Sequence, residues 1–131
     1  MKELSIGALA AATDTKVVTI RYYEKIGLLP APPRSAGNYR LYRQSHLDRL
    51  RFIRRCRALG FTLEEVRELL ELSAETERDC GKVDQLVSAH LVDVQRKIAD
   101  LEKLAAELRR IHASCRGGTV GECRIIEALS P

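Results

Sequence analysis

The stretch from Cys80 to Cys115 constrains this chain more than any other, being one amphipathic segment with a cysteine at each end. Val87, Leu91, Val94, Ile98, Leu101, Ala105 and Leu108 recur at alternating spacings of four and three. That is a heptad seam held over three repeats, with no proline and no glycine after Gly81. Asp93, Arg96, Lys97, Asp100, Lys103 and Glu107 fill the other faces. Such a stripe is buried either inside a monomeric bundle or against a second copy. No other stretch is long enough to pair with it, so the pattern points to a dimeric coiled coil.

The length of that helix has a consequence for the thiols. From Cys80 to Cys115 a straight helix rises about 52 Å, at roughly 1.5 Å per residue. The two cysteines of one chain then cannot meet on one atom. In an antiparallel dimer, Cys80 of one chain lies beside Cys115 of the other. A site using both is built across the interface and occurs twice, which couples a small ligand to the positions of two subunits.

The 131 residues suffice for one domain, or for one small domain with an extension. No apolar run reaches the length of a membrane span. Met1-Lys2-Glu3-Leu4-Ser5 shows no leader pattern, so the cytoplasm is the expected compartment. In a reducing compartment, four cysteines point to metal or redox chemistry rather than to a disulfide framework. Charge is unevenly spread: residues 1–60 hold 12 Lys/Arg against 4 Asp/Glu, and residues 61–131 hold 10 against 14. A basic N-terminal half with no basic amphipathic helix carrying bulky apolar anchors fits nucleic acid better than a membrane surface.

Within that basic half, residues 5–12 read as a short helix capped by Ser5. Asp14 or Thr15 is the expected cap of a second helix that runs from Val17 to Lys25 and stops near Gly27. Two short helices joined by a tight turn form a helix-turn-helix, whose second helix can enter a major groove. Leu28 to Pro33 is a proline-stiffened connector. Arg34 to Tyr42 reads as a hairpin with Ala36-Gly37-Asn38 at its tip, a basic, aromatic wing. Arg34 and Arg40 suit phosphates, and Tyr39 can pack on sugar. Ser45 is the expected cap of a helix from His46 to Leu59, with Leu47, Leu50, Ile53 and Cys56 inward and Arg49, Arg51, Arg54, Arg55 and Arg57 on the polar surface. Gly60 ends it, and Thr62-Leu63-Glu64-Glu65 is a capping box opening a helix to about Leu72. Cys115 to Cys123 is a glycine-rich loop between two thiols. After it, Ile125 to Leu129 forms a last short turn that can fold back and close the loop.

Ile20-Arg21-Tyr22-Tyr23-Glu24, Gly27-Leu28-Leu29-Pro30, Arg34-Ser35 with Gly37-Asn38-Tyr39-Arg40-Leu41-Tyr42, and Phe52 through Leu63 closely resemble the MerR family of bacterial transcription regulators. The resemblance covers essentially the whole chain. It implies a mainly α fold: a winged helix-turn-helix with linking helices (1–72), a loop (73–80), an antiparallel dimerisation helix (81–112), and a metal-binding loop with a short C-terminal helix (113–131). It further implies a homodimer on a palindrome within an overlong promoter spacer, distorting double-stranded DNA on effector binding so that RNA polymerase engages. Carried over by position, the DNA contacts fall on Val18, Thr19, Arg21 and Tyr22 in the recognition helix, and on Arg34, Asn38, Tyr39 and Arg40 in the wing. Val18 could meet a thymine methyl. Tyr23 points to a different face from Tyr22 and belongs to the core.

The C-terminal half resembles the metal-sensing branch of that family, with paired cysteines at Cys115 and Cys123 and no added ligand-binding domain. Sensors of monovalent copper, silver or gold carry serine where this chain has Cys80. A cysteine there resembles the sensors of divalent zinc, cadmium, lead or mercury, so Cys80, Cys115 and Cys123 are the expected ligands of a soft divalent ion. Two thiolates leave a monovalent ion with one excess negative charge, and three do the same for a divalent one; three sulfurs suit mercury, lead or cadmium better than zinc, which usually takes four ligands. The spacing from Cys115 to Cys123 resembles a copper-sensing loop equally well, so a Cu(I) or Ag(I) sensor using these two thiols alone is the alternative. His112 is a possible extra ligand, and His46 and His90 read as surface or packing residues. A thiol redox sensor closing a Cys115–Cys123 disulfide leaves Cys80 without a role. An enzyme is not expected, because no paired carboxylates, Ser/His/Asp set or phosphate loop is present.

Overall fold

Capping chemistry sets where the first helices begin and end. Ser5 caps α1 (Ile6–Thr13), its hydroxyl accepting from the Ala8 N–H at 3.1 Å. The residue that ends α1 is Asp14, held left-handed at φ 49°, a conformation short polar side chains tolerate. Its carboxylate meets Arg54 at 3.1 Å, and the same guanidinium donates to the Thr13 carbonyl at 2.6 Å. Asp14 therefore closes α1 instead of opening α2, and Thr15 bonds back to the Thr13 carbonyl. The cap position of α2 (Val17–Lys25) falls to Lys16, with no side-chain bond. Gly27 at φ 77° stops α2 as expected, and the N–H groups of Leu28 and Leu29 both donate to the Tyr23 carbonyl.

The computed structural model describes residues 3–131; Met1 and Lys2, part of the leader reading, lie outside them. The chain divides into two compact units, the first running to Cys80 and the second from Gly81 to Pro131. In the first, Leu9, Ile20, Leu29, Tyr42, Leu47 and Leu50 form the core, with Leu4, Ile6, Ala10 and Tyr23 packed against it. Removing a fully buried leucine such as Leu50 from such a core typically costs about 2–5 kcal/mol.

The hairpin at 34–42 is present in minimal form, as an antiparallel bridge between Arg34 and Arg40, while Leu4 pairs with Tyr42 at the base. Its turn is closed by the Asn38 N–H donating to the Ser35 carbonyl and the Ser35 N–H donating to Tyr39. The left-handed residue is Asn38, at φ 66°, which fits a three-residue loop ending in that conformation. Gly37 serves a different need: a Cβ there would stand 3.2 Å from the Tyr39 ring.

Helix α3 (Gln44–Ala58) starts earlier than Ser45 would allow, with Arg43 in the cap position. His46 explains the shift. Its Nδ1 accepts the Arg43 N–H at 3.0 Å, the role a glutamine plays in a capping box, and its ring stands edge-on to Tyr42 at 5.4 Å. His46 is buried, a packing residue rather than a surface one, and the cap bond is a second role. Burial is the main cause holding its pKa below the ordinary value, with Arg43 adding to the effect and the Pro30 backbone and Glu24 opposing it. The unfolded chain therefore takes up this proton at a higher pH than the folded one, and stability falls as pH drops below the ordinary histidine range. Thermal unfolding followed from pH 7.5 down to 5.5 is expected to show that loss in the parent. His46→Gln, which keeps an acceptor but cannot titrate, is expected to flatten the profile; an unchanged slope would exclude His46 as the cause.

Leu47, Leu50, Ile53 and Cys56 face inward from α3 as expected, and burial pushes the Cys56 thiol up. Thr62 opens α4 (Leu63–Ser73) with a full capping box: the Glu65 N–H donates to Thr62 Oγ1 at 3.2 Å, and the Thr62 N–H to Glu65 Oε1 at 2.8 Å. In the second unit, α5 spans Gly81–Ala113 and α6 (Arg124–Leu129) packs back on it after a 3-10 turn at Val120–Glu122. Along α5, Val87, Leu91, Ile98, Leu101 and Leu108 of the heptad seam are exposed and Val94 and Ala105 are half-buried, so most of the seam is open among the described residues. Only Ile111, near its C-terminal end, is buried.

Candidate functional site

The two faces of α2 separate as a groove-reading helix requires. Ile20 is fully buried and Tyr23 is packed on the core, whereas Val18 (75% exposed), Arg21 and Tyr22 face solvent and Thr19 is half-buried. In the wing, Tyr39 is likewise 75% exposed and Asn38 is open, with its carbonyl receiving Arg34 Nη1 at 3.0 Å. All eight residues expected to meet DNA therefore fall on α2 or the wing of one compact unit. Between these elements lies a cleft of about 300 Å³, with Arg21, Lys25, Arg34 and Arg40 on its walls.

Arg40 departs from the simple picture of a free phosphate ligand. Its Nε lies 3.6 Å from Glu24, whose side chain is only 10% exposed. The other Glu24 oxygen accepts the Tyr42 hydroxyl at 2.9 Å. Burial, and then this bond to Glu24, hold the Tyr42 phenol protonated far above its ordinary range. Glu24, on α2, thus holds two residues of the wing's second strand, Arg40 and Tyr42.

Other arginines that the sequence placed on a polar surface also have internal work. Arg49 donates to the Leu28 carbonyl at 2.8 Å, Arg54 to Thr13, and Arg57 to the Phe61 carbonyl at 2.7 Å. Arg67 on α4 donates to the Ile26 carbonyl at 2.7 Å. These carbonyls stand at or just beyond helix ends, where the chain leaves acceptors unsatisfied and a cation complements the dipole. Part of the basic excess in this half therefore stitches the helix-turn-helix together. No local pattern marks such contacts, because donor and acceptor lie 41 residues apart for Arg54–Thr13 and Arg67–Ile26.

All four cysteines are free thiols: Cys56 is buried, Cys80 and Cys115 are exposed, and Cys123 is half-buried. Cys80 is the last residue of the first unit and directly precedes α5. Cys115 follows the end of α5, its N–H donating to the His112 carbonyl, and Cys123 stands in the cap position of α6. The loop between them turns on Gly117 and Gly118, at φ 77° and 93°. Near Gly118, a Cβ would come within 3.3 Å of the Glu122 carboxylate. Among the described residues, no group of three His, Cys, Asp or Glu side chains within the chain is placed to hold a metal. The donors are nevertheless suited to one: three accessible sulfurs unengaged in disulfides are soft ligands. Among the described residues no helix is long and apolar enough to cross a membrane.

Comparison with known proteins places these features in context. A family model described as MerR HTH family regulatory protein matches residues 4–73, and another described as MerR, DNA binding matches residues 47–111. The mercuric resistance operon regulatory protein of Bacillus cereus is 40% identical over 125 residues, covering 95% of each chain. The crystal structure of the transcription regulator PbrR691 from Ralstonia metallidurans CH34, in complex with lead(II), shares 47% identity with a TM-score of 0.84 over 97% of this chain and 99% of that one. MerR from Bacillus megaterium MB1, solved with mercury(II), shares 35% identity with a TM-score of 0.71 over 96% and 98%.

Proposed function

Because this chain belongs to the MerR family, in its heavy-metal-sensing branch, and is a metal-dependent transcriptional regulator rather than an enzyme, we propose that it answers to a soft divalent ion held by Cys80, Cys115 and Cys123. In this reading two copies pair along α5 in antiparallel fashion. Each site draws Cys80 from one protomer and Cys115 and Cys123 from the other. The observation that carries it is the set of free, accessible cysteines flanking a helix whose apolar seam is mostly exposed among the described residues.

Cys80, Cys115 and Cys123 would hold the ion, which would supply coordination strong enough to tie the positions of their subunits together. The chain does the rest. Val18, Thr19, Arg21 and Tyr22 enter the major groove, and Arg34, Asn38, Tyr39 and Arg40 hold the flanking backbone of a promoter palindrome. A change in the spacing of the two DNA-binding units then bends or untwists the duplex, at a cost of a few kcal/mol that ligand binding must offset. RNA polymerase reads the altered spacer and transcribes genes for metal resistance. Lead(II) and mercury(II), seen with two of the similar structures, and cadmium(II) are favoured over zinc(II).

The test is a metal titration of the reduced dimer under anaerobic conditions, followed by thiolate-to-metal ultraviolet absorption, with transcription measured in parallel. Two lead(II), cadmium(II) or mercury(II) ions per dimer, and transcription rising with the same stoichiometry, are expected. A protein that ignores every metal when reduced, but changes its DNA binding on oxidation, would instead be a disulfide switch between Cys115 and Cys123.

A further inference from the structure

The four cations around the cleft between α2 and the wing are not equivalent, and Glu24 is what distinguishes them. Among the described residues no ion pair is formed by Arg21, Lys25 or Arg34, whereas Arg40 is paired with Glu24. Glu24 is itself fixed from the other side by the hydroxyl of Tyr42, a fully buried residue whose backbone pairs with Leu4 in both directions, at 2.7 and 2.8 Å. This carboxylate is held on the side opposite Arg40 by the bond of its second oxygen to the Tyr42 hydroxyl. The Glu24 end of the pair is 10% exposed, so its carboxylate is partly shielded from salt, while Arg40 at 31% keeps one side open to a phosphate.

Affinity for arbitrary DNA comes from cations that are free to follow any phosphate. A cation held in place contributes only where the duplex presents a phosphate at that point, and a fixed carboxylate beside it repels phosphates arriving elsewhere. We propose that Glu24 is a specificity-determining residue: by holding Arg40 against the recognition helix, it withholds one cation from non-specific phosphate binding and fixes the register between wing and helix. This rests on the DNA-binding reading above and adds a role for an acidic residue within it.

The experiment compares the parent, Glu24→Gln, Arg40→Gln and the double variant. Double-stranded DNA enriched by the parent from a random pool is one probe, and an unselected random duplex is the other. Each is titrated between 50 and 300 mM salt. Glutamine retains an acceptor for Tyr42, so circular dichroism and thermal unfolding are expected to stay close to the parent.

Freed Arg40 is expected to steepen the salt dependence on random DNA by about one phosphate contact and to raise that affinity roughly five- to tenfold at 0.1 M salt. Affinity for the selected sequence is expected not to rise with it, so the ratio of the two falls. In the Arg40→Gln background, Glu24→Gln is expected to leave the slope unchanged and to lower the ratio by less than it does in the parent, which a general loss of packing would not reproduce. Should Glu24→Gln unfold, Tyr42→Phe, which releases the anchor while leaving both charges, is expected to lower the ratio in the same direction. Unchanged slope and ratio in a folded Glu24→Gln, or an unchanged ratio in Tyr42→Phe, would overturn the proposal alone. A parent that enriches no sequence from the pool would overturn the DNA-binding reading and this proposal with it.

Discussion

Cys80→Ser is expected to leave DNA binding close to that of the parent while abolishing the response to lead(II), cadmium(II) or mercury(II). Cys80 is exposed and forms no disulfide, so its replacement should change stability by about 0.5 kcal/mol or less, as for surface substitutions generally. The metal loses far more. Serine offers a hard, protonated oxygen in place of a soft sulfur. Disturbing groups that merely orient a ligand already costs 10- to 100-fold in affinity, so removing a ligand is expected to cost at least about 100-fold. Two thiolates suit a monovalent ion on the same charge argument that makes three suit a divalent one. The variant is therefore expected to retain or gain Cu(I) and Ag(I) binding through Cys115 and Cys123. Thiolate-to-metal absorption and metal-dependent transcription, measured on parent and variant side by side, check both statements. Tight Cu(I) binding in the parent that Cys80→Ser leaves untouched would make Cys80 a bystander and the protein a monovalent sensor. Loss of DNA affinity in the variant would count against Cys80 acting through metal alone.

That expectation comes from a feature legible in the sequence, whereas other parts of the molecule were not. Periodicity and caps work over one or two turns, so the heptad stripe, the Thr62–Glu65 box and the stop at Gly27 were all readable locally. The caps misread at Asp14 and Ser45 share one cause. Each position has a residue able to cap, but a distant partner or a better local one prevails: Arg54 takes the Asp14 carboxylate, and His46 supplies the acceptor that moves α3 to an earlier start. Exposure of Val18 and Tyr39 followed from helical and hairpin phase. The tie from Glu24 to Arg40 and Tyr42 did not, because nothing within α2 signals a partner 16 or 18 residues on. A basic composition correctly suggested a polyanion. It could not tell arginines that face solvent from those, such as Arg49 and Arg67, that satisfy backbone carbonyls.

Leu101→Asp is expected to convert the protein to a monomer at micromolar concentration, with loss of tight DNA binding and of metal response together. Leu101 lies near the middle of α5 and is 63% exposed in the single chain, within a seam of which Val87, Leu91, Ile98 and Leu108 are also exposed and Val94 and Ala105 half-buried. Burying a leucine against a partner is worth about 1.5–3 kcal/mol. A two-fold dimer makes every such contact twice, so one substitution removes about 3–6 kcal/mol before the aspartate charge is considered. Two carboxylates placed in an apolar seam add desolvation, so the dissociation constant is expected to rise by a factor of about 10³ or more. The first unit has its own core of Leu9, Ile20, Leu29, Tyr42, Leu47 and Leu50, none of which lies on α5. Folding of the DNA-binding unit should therefore survive, and sedimentation equilibrium together with circular dichroism separates dissociation from unfolding. Two half-sites held by one dimer bind with the benefit of effective concentration, which a monomer forfeits, so operator affinity is expected to fall by about 10²-fold or more. Leu101→Met, which keeps the volume and the apolar character, is expected to remain dimeric. A dimer that tolerates Leu101→Asp would place the subunit interface elsewhere than the α5 seam, and with it would fall the assignment of each metal site to cysteines from two protomers.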